Sequence, residues 1–430
     1  MKRYETYKDS GIQWWEEIPT HWDLKKAKHM FSLVTENVSD SSLPKIALEN
    51  IESWTGKYIE TDSDFMGEGV EFKKDDILFG KLRPYLAKVY KAEFAGQAVG
   101  DIYVFRGNEE QNPEYLKYLL LSYPFISVVD GSTYGAKMPR ANWDFISHLV
   151  LPCPPKTEQV TIAAFLDHKV GKIDATIAEK EQMIEDLKAY RSAIISETVT
   201  KGLDKNVEMK DSGVEWIGMI PKHWNINKLK FFADISTGTT PSTDNEEYWK
   251  EPTENWYTPS DFCEEKVHLE TSSRKVSTTA FQESACRVFK KDVVLVVGIG
   301  ATLGKIGISS VECSANQQIN AIEFYDNVYP LFGVYYLSSL KEVMKSLASA
   351  ATLAIMNQSV TGSIPFVCPT LDEQKEIADY LEKKTKSIGS LLNQIEVQIV
   401  ELKSYKSTLI TEAVTGKIDL RDWKPKEGSV

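Results

Sequence analysis

The chain has 430 residues, 42% hydrophobic and 26% charged, with a formal net charge of −12; that length exceeds one ordinary core, so two or more domains of globular composition are expected. No apolar run reaches the roughly 18 residues that a membrane helix needs, and Met1-Lys2-Arg3-Tyr4-Glu5 lacks the apolar core of a signal peptide, so a cytoplasmic protein with no membrane partner is expected. The acidic balance argues against a simple basic nucleic-acid module, because duplex DNA repels a uniformly acidic surface. The cysteines Cys153, Cys263, Cys286, Cys313 and Cys368 are odd in number and dispersed, which fits reduced thiols better than a disulfide frame or a zinc site.

In chain order, the first block is Lys8-Asp9-Ser10-Gly11-Ile12-Gln13-Trp14, followed by Ile18-Pro19-Thr20-His21-Trp22. Asp76-Ile77-Leu78-Phe79, closed by Gly80, reads as a strand. Asn112-Pro113-Glu114-Tyr115 opens a helix with proline near its first turn. After the break Leu151-Pro152-Cys153-Pro154-Pro155, apolar residues recur by fours and threes at Leu166, Val170, Ile173, Ile177, Ile184, Leu187 and Ile194. Lys180 and Arg191 interrupt the stripe. So sustained a heptad pattern predicts a coiled-coil seam on a rod of about 65 Å. Thr157 is the expected N-cap.

The chain then repeats itself. Lys210-Asp211-Ser212-Gly213-Val214-Glu215-Trp216 and Ile220-Pro221-Lys222-His223-Trp224 restate the opening at a shift of 202. Asp292-Val293-Val294-Leu295-Val296-Val297 reads as a strand closed by Gly298. Cys368-Pro369 and Glu373-Gln374 restate Cys153-Pro154 and Glu158-Gln159 at a shift of 215, and Asp372 is the expected cap of a second rod. Its stripe is Leu381, Thr385, Ile388, Leu392, Ile395, Ile399, Leu402, Lys406 and Leu409. Two matching rods in one chain most simply pair with each other, with Lys180, Arg191 and Lys406 snorkelling or lying at the seam ends. Residues 32–137 and 234–352 share little sequence, so each half is a common frame around its own insert.

No reaction centre stands out. Gly298-Ile299-Gly300-Ala301-Thr302-Leu303-Gly304-Lys305 has its first glycine one residue too far out for a phosphate loop, and Ile306 replaces the magnesium-binding hydroxyl. Asn112-Pro113-Glu114-Tyr115 lacks the second proline of an adenine-methyltransferase motif. His21 and His223, at equivalent frame positions between proline and tryptophan, read as packing residues.

The ordered set of motifs, given twice, resembles the specificity subunits of type I restriction–modification systems. It includes Asp76 to Tyr85, Met138-Pro139-Arg140-Ala141-Asn142-Trp143, Gly300 to Gly307 and Asn316-Gln317-Gln318-Ile319-Asn320-Ala321. The resemblance implies an α+β fold: two mixed α/β target-recognition domains separated by an antiparallel pair of long coiled-coil helices, with an internal pseudo-twofold repeat. The corresponding boundaries are 1–155 and 202–370 for the recognition domains, 156–201 and 371–417 for the spacer helices, and 418–430 for a tail. It further implies a non-catalytic DNA reader of a split site, with double-stranded DNA, two methyltransferase subunits and ATP-dependent restriction subunits as partners. S-adenosylmethionine, ATP and magnesium would then sit on those subunits, with no cofactor or metal on this chain. Residues 72–91 are locally basic, through Lys73, Lys74, Lys81, Arg83, Lys88 and Lys91. The expected DNA-binding residues are Lys81, Arg83, Lys137 and Arg140 in the first domain. In the second they are Thr302, Lys305, Gln317, Gln318 and Asn357, with a frame role equally open for Asn357 and its counterpart Asn142. The alternatives are a type II specificity subunit serving one fused methyltransferase–nuclease, or a coiled-coil adaptor that binds no DNA.

Overall fold

The computed structural model describes every residue except 1, 13, 39–41, 62–67, 134–137, 264–265, 350–354 and 426–430. It contains two compact units, Met1–Glu181 with Val397–Val430, and Gln182–Glu396. Each unit holds one end of each long helix, Lys156–Lys201 and Leu371–Val414.

The two inserts, unlike in sequence, fold on one plan. In the first unit a sheet runs in the order Phe31–Val34, Ile102–Gly107, Ile77–Gly80, Val89–Lys91. In the second the order is Ala233–Thr237, Ile319–Phe324, Val293–Val297, Ile306–Ser309, with His268–Leu269 added at the edge. The registers correspond: Ile102 pairs with Gly80, and Ile319 with Val297. The central strands are apolar on both faces, as a strand covered on both sides must be, and Ile77, Leu78 and Val293 to Val297 are all fully buried. A helix follows each sheet, Pro113–Leu121 and Pro330–Ser338. Asn112 caps the first, accepting from Tyr115 N at 2.9 Å, so its motif is a helix start.

Around each insert the repeated motifs build one junction. The opening block forms a hairpin, Tyr7–Asp9 with Glu17–Pro19, and Met209–Asp211 with Met219–Pro221 in the same register. Strand Asp23–Lys26 pairs with Val150–Cys153, and Asn225–Lys228 with Pro365–Cys368, bringing the two ends of each frame together. Trp22 and Trp224 are buried beneath, and each indole donates to the first-turn glutamate of a long helix: Trp22 Nε1 to Glu158 at 3.0 Å, Trp224 Nε1 to Glu373 at 3.1 Å. His21 Nε2 lies 2.6 Å from Glu158, His223 Nε2 lies 2.9 Å from Glu373, and Tyr4 OH donates to Glu158 at 2.9 Å. The histidines are therefore junction residues, as their context indicates. The next residue, Gln159 or Gln374, spans the break: its amide nitrogen donates to Pro154 or Pro369 at 2.9 Å in each case. Its oxygen accepts from Asn112 N at 2.8 Å or Tyr329 N at 2.7 Å.

The caps differ from expectation. The first long helix already includes Lys156, which puts Thr157 inside the first turn, where its carbonyl accepts from Thr161 Oγ1. At the second, Thr370 rather than Asp372 stands at the cap: its N and Oγ1 donate to Glu373 at 3.1 and 2.6 Å. The repeat explains this, since position 155 of the first half is proline and only the second half can use a hydroxyl there.

The stripe residues Leu166, Val170, Ile173, Ile177, Ile184, Leu381, Ile388, Leu392, Ile395, Ile399 and Leu409 are buried. In the first unit the helices run antiparallel: Asp174 meets Lys406, whereas Lys180 reaches back to Gln398 and Glu181 to Lys403. Lys406 does not snorkel. It is buried and paired with Asp174 at 2.8 Å, and Asp174 also holds Lys57 of the insert at 2.9 Å. Burial would raise the Asp174 carboxyl, but the two lysines outweigh it and hold it below the usual range.

Removing Asp174 would strand a buried ammonium. Asp174→Ala is expected to cost about 3–5 kcal/mol, and the double change Asp174→Leu with Lys406→Leu clearly less than the sum of the two single changes, as read by urea unfolding. Burial also pushes Glu373 up, but its bonds from Thr370, His223 and Trp224 prevail and bring it down to about 2. A carboxyl lowered on folding contributes stability above its unfolded pKa, near 4.3, and loses it as pH falls toward the folded value. Glu373→Gln should therefore flatten the stability profile between about pH 4.5 and 2 relative to the natural chain.

Candidate functional site

Corresponding loops of the two sheets converge on corresponding segments from the far end of each insert. In the first unit the loop after Gly80 runs through Lys81, Leu82 and Arg83 into a 3-10 turn, Pro84–Leu86. It bridges to residues 138–141: Ala141 N donates to Lys81 O and Arg83 N to Pro139 O, both at 2.8 Å, and Leu82 pairs with Arg140. Tyr103 OH fixes the segment by donating to Ala141 O at 3.1 Å. In the second unit Gly298 O accepts from Met356 N at 2.7 Å, Ile299 pairs with Ile355, and Asn320 Nδ2 donates to Met356 O at 2.6 Å. The backbone plan is the same. Lys81, Leu82, Arg83, Asp101, Tyr103 and Arg140 correspond to Gly298, Ile299, Gly300, Gln318, Asn320 and Ile355.

The side chains on that plan differ. Arg140 makes a two-point contact with Asp101, Nε to Oδ1 at 3.1 Å and Nη2 to Oδ2 at 3.0 Å. Lys81 Nζ lies 3.7 Å from Asp101 Oδ1 and 5.3 Å from the centre of the Tyr103 ring. The Arg140 guanidinium, with Lys81 beside it, holds the Asp101 carboxyl below its ordinary range. Arg83 is exposed, and its side chain has no partner among the described residues. Its φ of +52° is left-handed, where Gly300 of the second unit has +77°. An L side chain there costs about 1–2 kcal/mol, so arginine is held at a position that suits glycine. Exposed Tyr85 and Met138 border the cluster.

Of the expected binding residues, Lys81, Arg83 and Arg140 thus come together, and Lys137 lies outside the described residues. In the second unit Gln317 and Gln318 are exposed beside Gly298, whose N donates to Gln318 O at 2.8 Å. Gln317 accepts from Thr240 Oγ1, and Gln318 from Asn316 Nδ2. Thr302 lies on the 3-10 turn Gly300–Thr302. Lys305 points inward, donating to Phe262 O at 3.2 Å. It corresponds to Lys88, which donates to Leu48 O and Ile51 O at 2.6 and 2.8 Å and which burial pushes below the usual lysine range. Asn357 and Asn142 cap short helices, accepting from Val360 N at 2.9 Å and Asp144 N at 2.8 Å.

The basic stretch 72–91 is less open than its composition implies. Lys91 is divided between Asp75 and Glu114, and Lys88 is tied to carbonyls; Lys73 and Lys74 are exposed. Asp101 was missed because one aspartate beside a strand has no motif. Only the fold places it between Lys81 and Arg140. Among the described residues no group of three or more His, Cys, Asp or Glu could hold a metal ion, and no helix is long and apolar enough to cross a membrane.

The family described as "Type I restriction modification DNA specificity domain" matches residues 32–186 and 221–401. The chain is 23% identical over 445 residues to a putative type I restriction enzyme MjaX specificity subunit of Methanocaldococcus jannaschii, covering 96% of this chain and 98% of that one. It is 28% identical over 194 residues to the MjaIX specificity subunit of the same organism, a match spanning 43% of this chain and 44% of the relative. The EcoBI specificity subunit of Escherichia coli is 23% identical over 375 residues, or 82% of this chain and 75% of that one. Among solved structures, a chain from a study of complex assembly and conformational transition of the type I R-M system superposes with a TM-score of 0.75 at 17% identity, covering 93% of this chain and 99% of that one. The HsdS subunit from Thermoanaerobacter tengcongensis gives 0.52 at 18% identity, covering 93% and 98%. These structural likenesses are of fold.

The left-handed Arg83 yields a stability prediction. Arg83→Gly removes about 1–2 kcal/mol of backbone strain against a glycine entropy cost of about 0.5–1. Thermal unfolding should show the variant at least as stable as the natural chain, by up to about 1.5 kcal/mol, whereas an arginine with ordinary φ would lose stability on the same change.

Proposed function

We propose a division of labour for this chain, which belongs to the type I restriction modification DNA specificity family and whose function is DNA sequence recognition. Each insert reads one half of a split site, and the unlike halves follow from unlike side chains on one backbone plan. The observation that carries this reading is the correspondence just described: Lys81, Asp101 and Arg140 stand in the first unit where Gly298, Gln318 and Ile355 stand in the second. A shared frame presents two different hydrogen-bonding surfaces.

Phosphate contacts set register, whereas base edges are read by forked or amide side chains. Arg83, whose guanidinium has no partner among the described residues, suits either duty, and Arg140 has the fork. Gln317 and Gln318 supply amides in the second unit. Lys305 and Asn357 serve mainly to hold the loops that carry these groups, since each spends polar atoms on its own backbone surroundings.

The chain itself carries out no chemical step in this reading. Two methyltransferase subunits would supply S-adenosylmethionine and the methyl transfer, and ATP-dependent restriction subunits the magnesium, ATP and cleavage. The acidic long helices suit surfaces sheathed by protein, which reconciles a net charge of −12 with DNA binding.

The test is to express the chain with its neighbouring methyltransferase gene in a host lacking background methylation and to map methylated adenines by single-molecule sequencing. A split motif dependent on this chain is expected. A continuous motif, or methylation indifferent to the chain, would favour the adaptor. Arg83→Ala should weaken binding of the methyltransferase-bound complex by about tenfold and lower the slope of log affinity against log salt by about one if Arg83 contacts phosphate.

A further inference from the structure

Resting on that reading, we infer that Asp101 is a positioning residue that holds Arg140 as the reader of one guanine in the half-site taken by the first unit. A free arginine side chain has four rotatable bonds and presents its fork in many directions. Arg140 has been given one. Its Nε edge is spent on Asp101, with Nε and Nη2 donating to the two carboxylate oxygens at 3.1 and 3.0 Å. The end of the guanidinium, formed by Nη1 and the second hydrogen of Nη2, is left over, and among the described residues Nη1 has no partner. Two parallel N–H groups in a plane match the O6 and N7 acceptors of guanine in the major groove; adenine offers only one acceptor there and places a donor where O6 would be.

The rest of the cluster holds Asp101 and Arg140 still. Lys81 N donates to Asp101 O at 2.9 Å, and Lys81 Nζ approaches the same carboxylate at 3.7 Å over the Tyr103 ring. Tyr103 in turn holds Ala141, the residue after Arg140. The Arg140 side chain is 51% exposed, so the fork reaches solvent although its base is clamped. The pairing on Lys81 and Arg140 also explains how a carboxylate can sit at a DNA-facing loop without repelling the duplex.

A merely structural role for this ion pair is weighed by the second unit. The same bridge, the counterparts of the Ala141 N–Lys81 O and Lys81 N–Asp101 O bonds, and the same side-chain-to-carbonyl strut form there with Gln318 and Ile355, where no ion pair is available. The frame therefore does not need Asp101 or Arg140 to close. Their presence in one unit only is what an element of sequence reading requires.

The test uses the full chain in complex with its methyltransferase, and DNA carrying the mapped motif. Each guanine of the half-sites is replaced in turn by 7-deazaguanine, which lacks the N7 acceptor, and by adenine. For the natural chain one position of one half-site should lose roughly tenfold or more in binding. Arg140→Ala and Asp101→Asn should both abolish that sensitivity at that same position. The other half-site should stay unchanged, as should the thermal unfolding temperature. Asp101→Glu should restore part of the discrimination. If Arg140→Ala removes the sensitivity while Asp101→Asn retains it in full, the positioning role is wrong and the DNA-reading assignment stands. If Asp101→Asn weakens binding at every position together with a fall in unfolding temperature, the residue is structural and the inference is overturned. If the natural complex shows no sequence preference at all, both the reading and the inference fall.

Discussion

A single carboxylate in the first turn of each long helix is the point on which each half of this protein depends. Glu158 and Glu373 accept from the indole and lie against the imidazole of a histidine–tryptophan pair brought in by the opening hairpin. An acid near a helix N-terminus is favoured by the helix dipole, and here it also satisfies donors from the hairpin end of the frame. The neighbouring glutamine performs the complementary task, tying the proline break to the first turn of the helix that follows the sheet. Two adjacent polar residues thus fasten hairpin, insert and long helix together, and everything between the two ends of the frame is free to vary. The helix ends show the same economy of placement: Gly202 and Gly416 take φ of +76° and +74°, and a side chain at either would press on Trp224 or on Pro19 and Trp22.

That arrangement makes recognition separable from folding. In both units the apolar strands and the backbone bonds between loop and far segment form the sheet and its bridge. The residues that project from the bridge contribute little to either. At Arg83 the left-handed backbone suits the glycine found at the corresponding position, and the strained residue is held by the bridge from its N to Pro139 O. Charge is handled by the same separation. Lysines that look like an open basic patch in the sequence are used to fasten loops from within, as with Lys88, Lys91 and Lys305, so fewer cations face outward than composition implies.

The seam between the long helices departs from an apolar ideal at Lys180, Arg191, Thr385 and Lys406, and at Lys406 the departure is compensated locally. Lys406 interrupts the stripe and is matched by Asp174, which also takes Lys57 from the insert. A buried pair of this type adds little net stability over apolar residues but penalises any register that separates its members. The antiparallel alignment of the helices and the docking of the insert loop are both recorded in that one carboxylate.

The sequence by itself determined the frame. Self-similarity at two shifts located the repeated motifs, the heptad stripe located the rods, and the loss of likeness between residues 32–137 and 234–352 marked the inserts. These features are local or periodic, and a period survives reading in one dimension. The role of His21 and His223 was legible only as packing, because their acceptors lie more than a hundred residues away. The tertiary structure alone decided that inserts without evident sequence likeness share one sheet order, since many side-chain sets satisfy the same pattern of burial. It alone joined Lys81 to Arg140 through Asp101, turned Lys305 inward, and put the cap on Thr370 instead of Asp372. The cap is local, Thr370 reaching Glu373 three residues on, but the other outcomes are contacts between segments far apart in the chain, and sequence spacing carries no information about distance once the backbone has folded back on itself.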